Sequence, residues 1–333
     1  MANAITNTGY LTEIMNYALL DKEAILQIFN SHPMVKETMK NSVTADGAVV
    51  QDIVAVKELT AHNYICGNQY GSGVPDALKA VQWNFHNFDV DVSLPKTTVR
   101  HSQSKQALVN LVNTYRNIAM ETMNKTLELM ILGVALGGFV DPIASFPDIA
   151  NTDRSYGGVD STTYEAWDGF RVAGTAVMTT TTTANLVANE NILNLCEYVV
   201  TEVSDIGEKE STDAIFCGPL MWRCFGYYGY INYAPVTPDT SMKWGSMVRN
   251  FNNTKIVLNK NIPDSLGYLY FVNFDYLDLV LSDGFNFEFT GFTDDPNSDK
   301  MIGHILVSGE LICTQPRRQG LVTGLATSWT NPS

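Results

Sequence analysis

Apolar side chains recur at three- and four-residue intervals between residues 10 and 40: Leu11, Ile14, Met15, Ala18, Leu19, Ile25, Leu26 and Phe29. That spacing predicts a helix with one apolar face. Pro33 interrupts the run, and Met34 to Lys40 reads as a second short helix. From 48 to 95 the period becomes two. Val81, Trp83 and Phe85 alternate, then Phe88, Val90, Val92 and Leu94 alternate in the other register, which predicts a bulge at His86-Asn87. Val50, Val54 and Val56 supply an opposing strand, and Cys66 to Asp76 is rich in turn formers. The sum is a long hairpin. A two-stranded arm is marginal alone and needs a surface to lie on.

The longest helical pattern covers 99–132, through Leu108, Leu111, Val112, Tyr115, Ile118, Ala119, Met123, Leu127, Met130 and Ile131. Unbroken, it spans roughly 50 Å at the helical rise per residue. Arg116, Glu121, Lys125 and Glu128 fall outside the stripe and read as a solvated face. A connection with short β-prone pieces follows from Gly133 to Ser155. Residues 190–206 predict another helix, with Asn189 as N-cap, Ile192, Leu195, Cys196, Val199, Val203 and Ile206 buried, and Gly207 at its end.

Ala214 to Cys217 reads as a short buried strand stopped by Gly218-Pro219, with a helix from about Leu220. Strands are expected at 255–258 and 268–274. Phe285, Phe287 and Phe289 alternate and pair antiparallel with 301–313 across the polar turn Thr293 to Asn297. The fold class is α+β, with an α/β portion in the second half.

Composition narrows the function. The chain has 333 residues, 45% hydrophobic and only 17% charged, with a formal net charge of −14. Few charges suit extensive protein contact, because charged groups are depleted at interface cores; an ordinary Asn/Thr-rich soluble protein fits equally well. Tight nucleic-acid binding requires clustered Lys and Arg, so it is not expected. An acidic wall would suit a container that DNA does not stick to. The five cysteines are odd in number and form no C-x-x-C, which argues for reduced thiols and against a disulfide framework or zinc knuckle. The first residues carry no signal-peptide pattern, and no apolar run approaches the roughly 18 residues of a membrane span.

Searching for chemistry returns little. No P-loop, G-x-S-x-G or H-E-x-x-H occurs, and Gly71-Ser72-Gly73 places Asp76 where a dinucleotide fingerprint needs its third glycine. Histidines 32, 62, 86, 101 and 304 have no ligand-like spacing. Asp89 and Asp91 share a strand face and read as solvated. Asp294 to Asp299 reads as a polar turn rather than a calcium loop, and Asp153 and Asp160 as turn residues. Arg317-Arg318 pairs with a neighbour's acids, touches phosphate or makes a local salt bridge. Phe225, Tyr227, Tyr228, Tyr230 and Tyr233 suit a core corner or a subunit contact better than base stacking, since no basic residues interleave. No catalytic, cofactor-binding or metal-binding residue is predicted, and no enzyme.

Two stretches, Gly157-Gly158-Val159-Asp160-Ser161-Thr162-Thr163-Tyr164-Glu165-Ala166-Trp167 and Arg317-Arg318-Gln319-Gly320-Leu321-Val322-Thr323-Gly324-Leu325, mix turn residues with a few anchors. Together with the order of arm, hairpin, long helix, α/β segment and returning β pair, they resemble the major capsid proteins of tailed bacteriophages, which have the Hong Kong 97-type fold. The resemblance implies an N-arm at 1–47, an E-loop at 48–96, a P-domain at 97–156 plus 278–314 with 99–132 as spine helix, and an A-domain at 157–277 plus 315–333.

It further implies hexamers and pentamers of one chain in an icosahedral head around double-stranded DNA, assembled in the host bacterial cytoplasm and ending in the virion. A portal at one vertex, a separate scaffolding protein and a decoration protein are the implied partners, and no membrane is involved. Tyr70, Val74, Pro75, Arg317 and Arg318 are the candidate interface residues. The hairpin begins near residue 48, so no N-terminal scaffolding domain or processing is expected. Lys57 and Lys79 are candidates for cross-linking by position, with no cross-linking expected. An encapsulin-type nanocompartment shares the fold and is the alternative; a cytosolic α/β enzyme is the alternative from another class.

Overall fold

A computed structural model describes residues 32–40, 42, 44–45, 49–57, 59, 77–101, 105–137, 142–174, 191–205, 211–227, 248–251 and 254–328. The helix expected before Pro33, the turn from Cys66 to Asp76 and Tyr228, Tyr230 and Tyr233 lie outside these residues. So do Asn189, Glu190, Ile206 and Gly207.

The first described element is α1 (Pro33–Lys40). A short β1 (Thr44–Ala45) follows, then the ribbon of β2 (Val49–Ala55) and β3 (Leu78–Asn84). The chain continues into β4 (His86–Pro95), α2 (Lys96–His101) and the long α3 (Lys105–Ile131). The expected single helix over 99–132 is thus two described helices, with 102–104 between them undescribed.

α3 ends where Val134 N–H bonds Leu129 O and Gly133 N–H bonds Met130 O, both at 2.9 Å. This Schellman-type ending requires a left-handed residue. Gly133 supplies it at φ +68°, and a Cβ there would lie 2.8 Å from Pro147 Cγ.

The connection expected to be β-prone carries instead α4 (Phe146–Ile149). Ser145 and Asp148 cap each other's backbone with Pro147 in the first turn, a local signal that outweighs the apolar content around it. Beyond it lie β5 (Ser155–Tyr156), β6 (Val159–Asp160), β7 (Phe170–Ala173), α5 (Asn191–Val203), β8 (Ala214–Cys217) and α6 (Pro219–Tyr227). The remaining strands are β9 (Val248–Phe251), β10 (Thr254–Leu258), β11 (Leu269–Val272), β12 (Leu277–Phe289), β13 (Thr293–Asp294), β14 (Lys300–Cys313) and β15 (Gly320–Thr323).

Two sheets organise the molecule. In the five-stranded sheet β14 is central, antiparallel to β12 and β13 on one side and to β4 on the other, with β1 parallel to β12. The six-stranded sheet has the order β7-β15-β11-β8-β10-β9 and is mixed. Its strands bury both faces. Ile215, Cys217, Leu269, Phe271 and Val322 face a core with α5 and α6, and the alternate residues Ala214, Phe216, Tyr270, Val272 and Leu321 join the core that holds α3. The expected strands at 214–217, 255–258, 268–274 and 301–313 are therefore observed within a residue or two.

Three expectations require correction. The change of register near His86 is not a bulge: β4 pairs with β14 continuously from His86 onward, and Phe85 marks where the chain leaves the ribbon and enters the five-stranded sheet. Arg116 and Glu128 are not on a solvated face; Arg116 is 9% exposed and Glu128 fully buried. The buried positions of α3 come in adjacent pairs (Ala119 and Met120, Met123 and Asn124, Leu127 and Glu128) because the helix is covered on two sides. Finally, Phe285, Phe287 and Phe289 do not share a face. Register shifts between Leu281 and Glu288, with Phe287 at φ +54°, leave Phe285 47% exposed while Phe287 and Phe289 are buried.

Tyr270 ties the six-stranded sheet to the end of α3: its hydroxyl donates to Leu132 O at 2.8 Å and its ring meets Phe146 edge-on at 5.6 Å, all within the core that holds α3. Tyr270→Phe leaves that carbonyl unpaired in a buried site and is expected to lower unfolding stability by about 1–3 kcal/mol. A shift of the urea midpoint measures it; an unchanged midpoint would contradict the tie.

Candidate functional site: an assembly surface

The ribbon offers two faces of opposite character. The pairing Val50↔Trp83, Asp52↔Val81 and Val54↔Lys79 puts Val54, Val81 and Trp83 inward, all under 9% exposed. The pairing Ile53↔Ala80 and Ala55↔Leu78 sends the other set outward, and Ile53 and Leu78 are 69% and 64% exposed. Two large aliphatic side chains with two alanines on an open strand face form an apolar patch of the sort that marks contact surfaces.

The inward face sits on the glycine-rich stretch singled out in the sequence. Gln82 N–H donates to Gly157 O at 2.9 Å. Gly157, at φ +60°, lets Trp83 and Val81 come so near that a Cβ would lie 3.2 Å from both. Tyr156 stacks on Trp167 at 6.1 Å and meets Trp83 at 5.9 Å. The Trp167 indole N–H donates to Tyr156 O at 3.0 Å. The Tyr156 hydroxyl donates to Leu311 O at 3.1 Å and accepts from Cys313 N at 2.9 Å, which moors the seat to β14. Asp160 closes the intervening turn by accepting from Thr162 N at 3.0 Å. Lys79 reaches over this seat, its ammonium 5.3 Å from the Tyr164 ring centroid.

A second fastening lies where β4 begins. His86 Nδ1 bonds Glu310 Oε2, and Glu310 Oε1 accepts from Ala144 N at 2.7 Å. Burial pushes the Glu310 carboxyl above the usual carboxylate range, against the lowering effect of the Ala144 amide and His86.

The second motif divides by role. Gln319 is fully buried and exchanges two bonds with the Asn273 backbone, donating to its carbonyl at 2.9 Å and accepting from its N–H at 3.0 Å. Arg318 donates to Val203 O at 3.3 Å and pairs with Asp205 at 3.4 Å, so its charge lies at the carboxyl end of α5, where a cation is favoured. Arg317 is exposed and opens onto a groove of about 800 Å³ that Asp52, Val54, Glu202 and Asp205 also line. Arg317 and Arg318 both line this groove, and Tyr70, Val74 and Pro75 lie outside the described residues.

Reaction chemistry is poorly served by what surrounds these surfaces. Among the described residues no three of His, Cys, Asp and Glu gather in a metal-binding arrangement. Cys196, Cys217, Cys224 and Cys313 are buried, and burial raises every thiol; Cys224 and Cys313 are pushed up to about 12. Asp89 pairs with His304 at 3.1 Å, and Asp295 accepts from Asn297 N at 2.9 Å and Ser298 Oγ at 2.6 Å, as a polar turn does. No described helix is long and apolar enough to cross a membrane. Sequence reasoning missed the two buried acids, Glu128 and Glu310. The signal for Glu128 was its place beside Leu127 in a stripe two residues wide; for Glu310 there was none beyond its position in an apolar strand.

No protein-family model and no curated protein matches the chain. Its fold matches solved shells. A chain of the cyanophage A-1(L) capsid aligns with TM-score 0.60 and 11% identity over 89% of this chain and 93% of that one. The capsid of Myoviridae phage XM1 gives 0.54 and 12% over 86% and 90%. The virus-like particle from Pyrococcus furiosus gives 0.50 and 12% over 93% and 98%. The architecture is the α+β Hong Kong 97-type capsid fold.

Trp83→Ala empties the aromatic seat and is expected to destabilise by about 3–5 kcal/mol. Limited proteolysis should then cut first within 49–84 while the six-stranded sheet persists; cleavage at the wild-type rate would contradict the anchoring role.

Proposed function

We propose that this chain is the major capsid protein of a tailed double-stranded DNA phage, assembling with itself into the hexamers and pentamers of an icosahedral head. The observation that carries the reading is the near end-to-end match to capsid subunits, with a TM-score of 0.60 over 89% of the chain. The ribbon supports it: an anchored base with an apolar outer face suits an arm that lies on a second copy. In this reading 1–47 is the N-arm, 48–96 the E-loop, 97–156 with 278–314 the P-domain, and 157–277 with 315–333 the A-domain. Tyr70, Val74 and Pro75, between β2 and β3 in sequence, and Arg317 and Arg318, which line the groove, are the proposed contacts with neighbours. The net charge of −14 suits an envelope that holds DNA without binding it. Scaffold, portal and decoration proteins are the expected partners, with assembly in the host cytoplasm and the virion as destination. The chain acts by packing and not by catalysis.

The nanocompartment reading draws on the Pyrococcus furiosus particle, matched over 98% of its chain. Particle contents separate the two: packaged DNA supports a phage head, and packaged protein supports a nanocompartment.

Ile53→Asp with Leu78→Asp puts two charges on the outward ribbon face, away from the anchored side. We expect a folded chain with wild-type circular dichroism that forms no closed particles by sedimentation velocity and electron microscopy. Normal particles from this variant would contradict the role given to the ribbon.

A further inference from the structure

Three elements meet at one carboxylate. α1 begins at Pro33, and the first-turn amides of any helix lack intrahelical partners. Here they are served from 93 residues away: Val35 N–H donates to Glu128 Oε2 at 2.8 Å, and Met34 N–H bonds the same group. The Asn259 side-chain amide, from the loop after β10, donates to Oε1. Glu128 thus holds α1, α3 and the six-stranded sheet's loop together from a fully buried position.

The seam around it is polar and incompletely paired. Asn124, one turn earlier on the same face of α3, is fully buried, and both polar atoms of its amide lack partners among the described residues. Asn261 donates to His32 Nδ1 at 3.1 Å, which places the imidazole proton on Nε2, an atom also without a partner there. An ionised Glu128 only accepts, so it offers nothing to Asn124 Oδ1. A protonated Glu128 has an O–H to give, and residues four apart on a helix are neighbours. Asn124 Nδ2 could equally serve an ionised Glu128, so what sets the two protonation states apart is full burial with bonds from neutral donors only.

We propose that Glu128 is a proton-operated latch that sets whether α1 is docked on α3 and the loop after β10 or released from them. Burial pushes its carboxyl up to about 7, against the opposing pull of the Val35, Asn259 and Met34 donors. Released, it would ionise near the ordinary value of 4.5. Between those values the docked form keeps a proton that the released form has lost, so docking weakens as pH rises through the window and levels off above it. The charged and titratable groups on the elements around it include His32, Lys36, Glu37 and Lys40 at α1, Tyr115, Arg116, Glu121 and Lys125 on α3, His86, Asp89 and Asp91 on β4, Asp278, Asp283 and Glu288 on β12, and Lys255 and Lys260 on β10 and its loop. The carboxylate's own bonds run instead to two backbone amides and an asparagine. Burial holds His32 below its usual value. The latch belongs to the folded chain and does not rest on shell assembly.

Amide hydrogen exchange of the peptide covering 32–40 tests it, on the free chain or the particle, after correction for the intrinsic pH dependence of exchange. Protection should fall by roughly one to two orders of magnitude from pH 5 to pH 8. His32→Gln should keep that slope. Glu128→Gln, an uncharged isostere, should flatten it, and Glu121→Gln, on the exposed face, should leave it alone. Flat protection in the wild-type chain overturns the proposal without any variant, as does a slope that survives Glu128→Gln and vanishes in His32→Gln.

Discussion

The rest of the structure depends on β14. Its fourteen residues carry β4 along one edge and β12 and β13 along the other. From Val307 to Cys313 every residue is buried. A strand so enclosed must pair each backbone group and fill both faces, and what fills them are the pieces that orient everything else. Glu310 fastens the start of β4, and the carbonyl of Leu311 and the amide of Cys313 hold Tyr156, on which the ribbon sits. Six residues beyond its end, Gln319 locks the return of the chain into the six-stranded sheet. One strand thereby fixes the ribbon, β4 and the second sheet relative to one another.

What this rigid centre presents outward is uneven. The ribbon's base is pinned by aromatics on one face and leaves Ile53 and Leu78 to solvent on the other. Arg317 and Arg318, adjacent in sequence, both line one groove, and Arg318 also closes the end of α5. A chain that tiles a closed surface needs this combination, because the contacts between copies must be many and modest while each copy stays the same inside. The low fraction of charged residues is consistent with such a surface.

Much of this was legible in the sequence because it rests on periodicity. The period-two runs at 81–83, 88–94 and 301–313, the short apolar run at 214–217 and the helical stripe ending at Ile131 each named the right element. The glycine-rich stretch at 157–167 was recognisable as important without its reason being visible; that reason is a tryptophan 74 positions earlier, a contact that local patterning does not encode. Buried acids failed for a related cause. Glu128 looked solvated because a glutamate usually is, and its partners, Val35 and Asn259, are distant in sequence. Phe285 failed because a β-bulge shifts the register without leaving a mark in the alternation. Tyr70, Val74 and Pro75, between β2 and β3 in sequence, lie outside the described residues.

The most direct test of shell formation is cryo-electron microscopy of the purified full-length chain, imaged with whatever assembles from it and reconstructed to side-chain detail. The account predicts closed particles built from one repeating subunit, with the outward face of each ribbon, at Ile53 and Leu78, covered by a neighbouring copy. A single small species at every concentration and salt, with that face open to solvent, would contradict it.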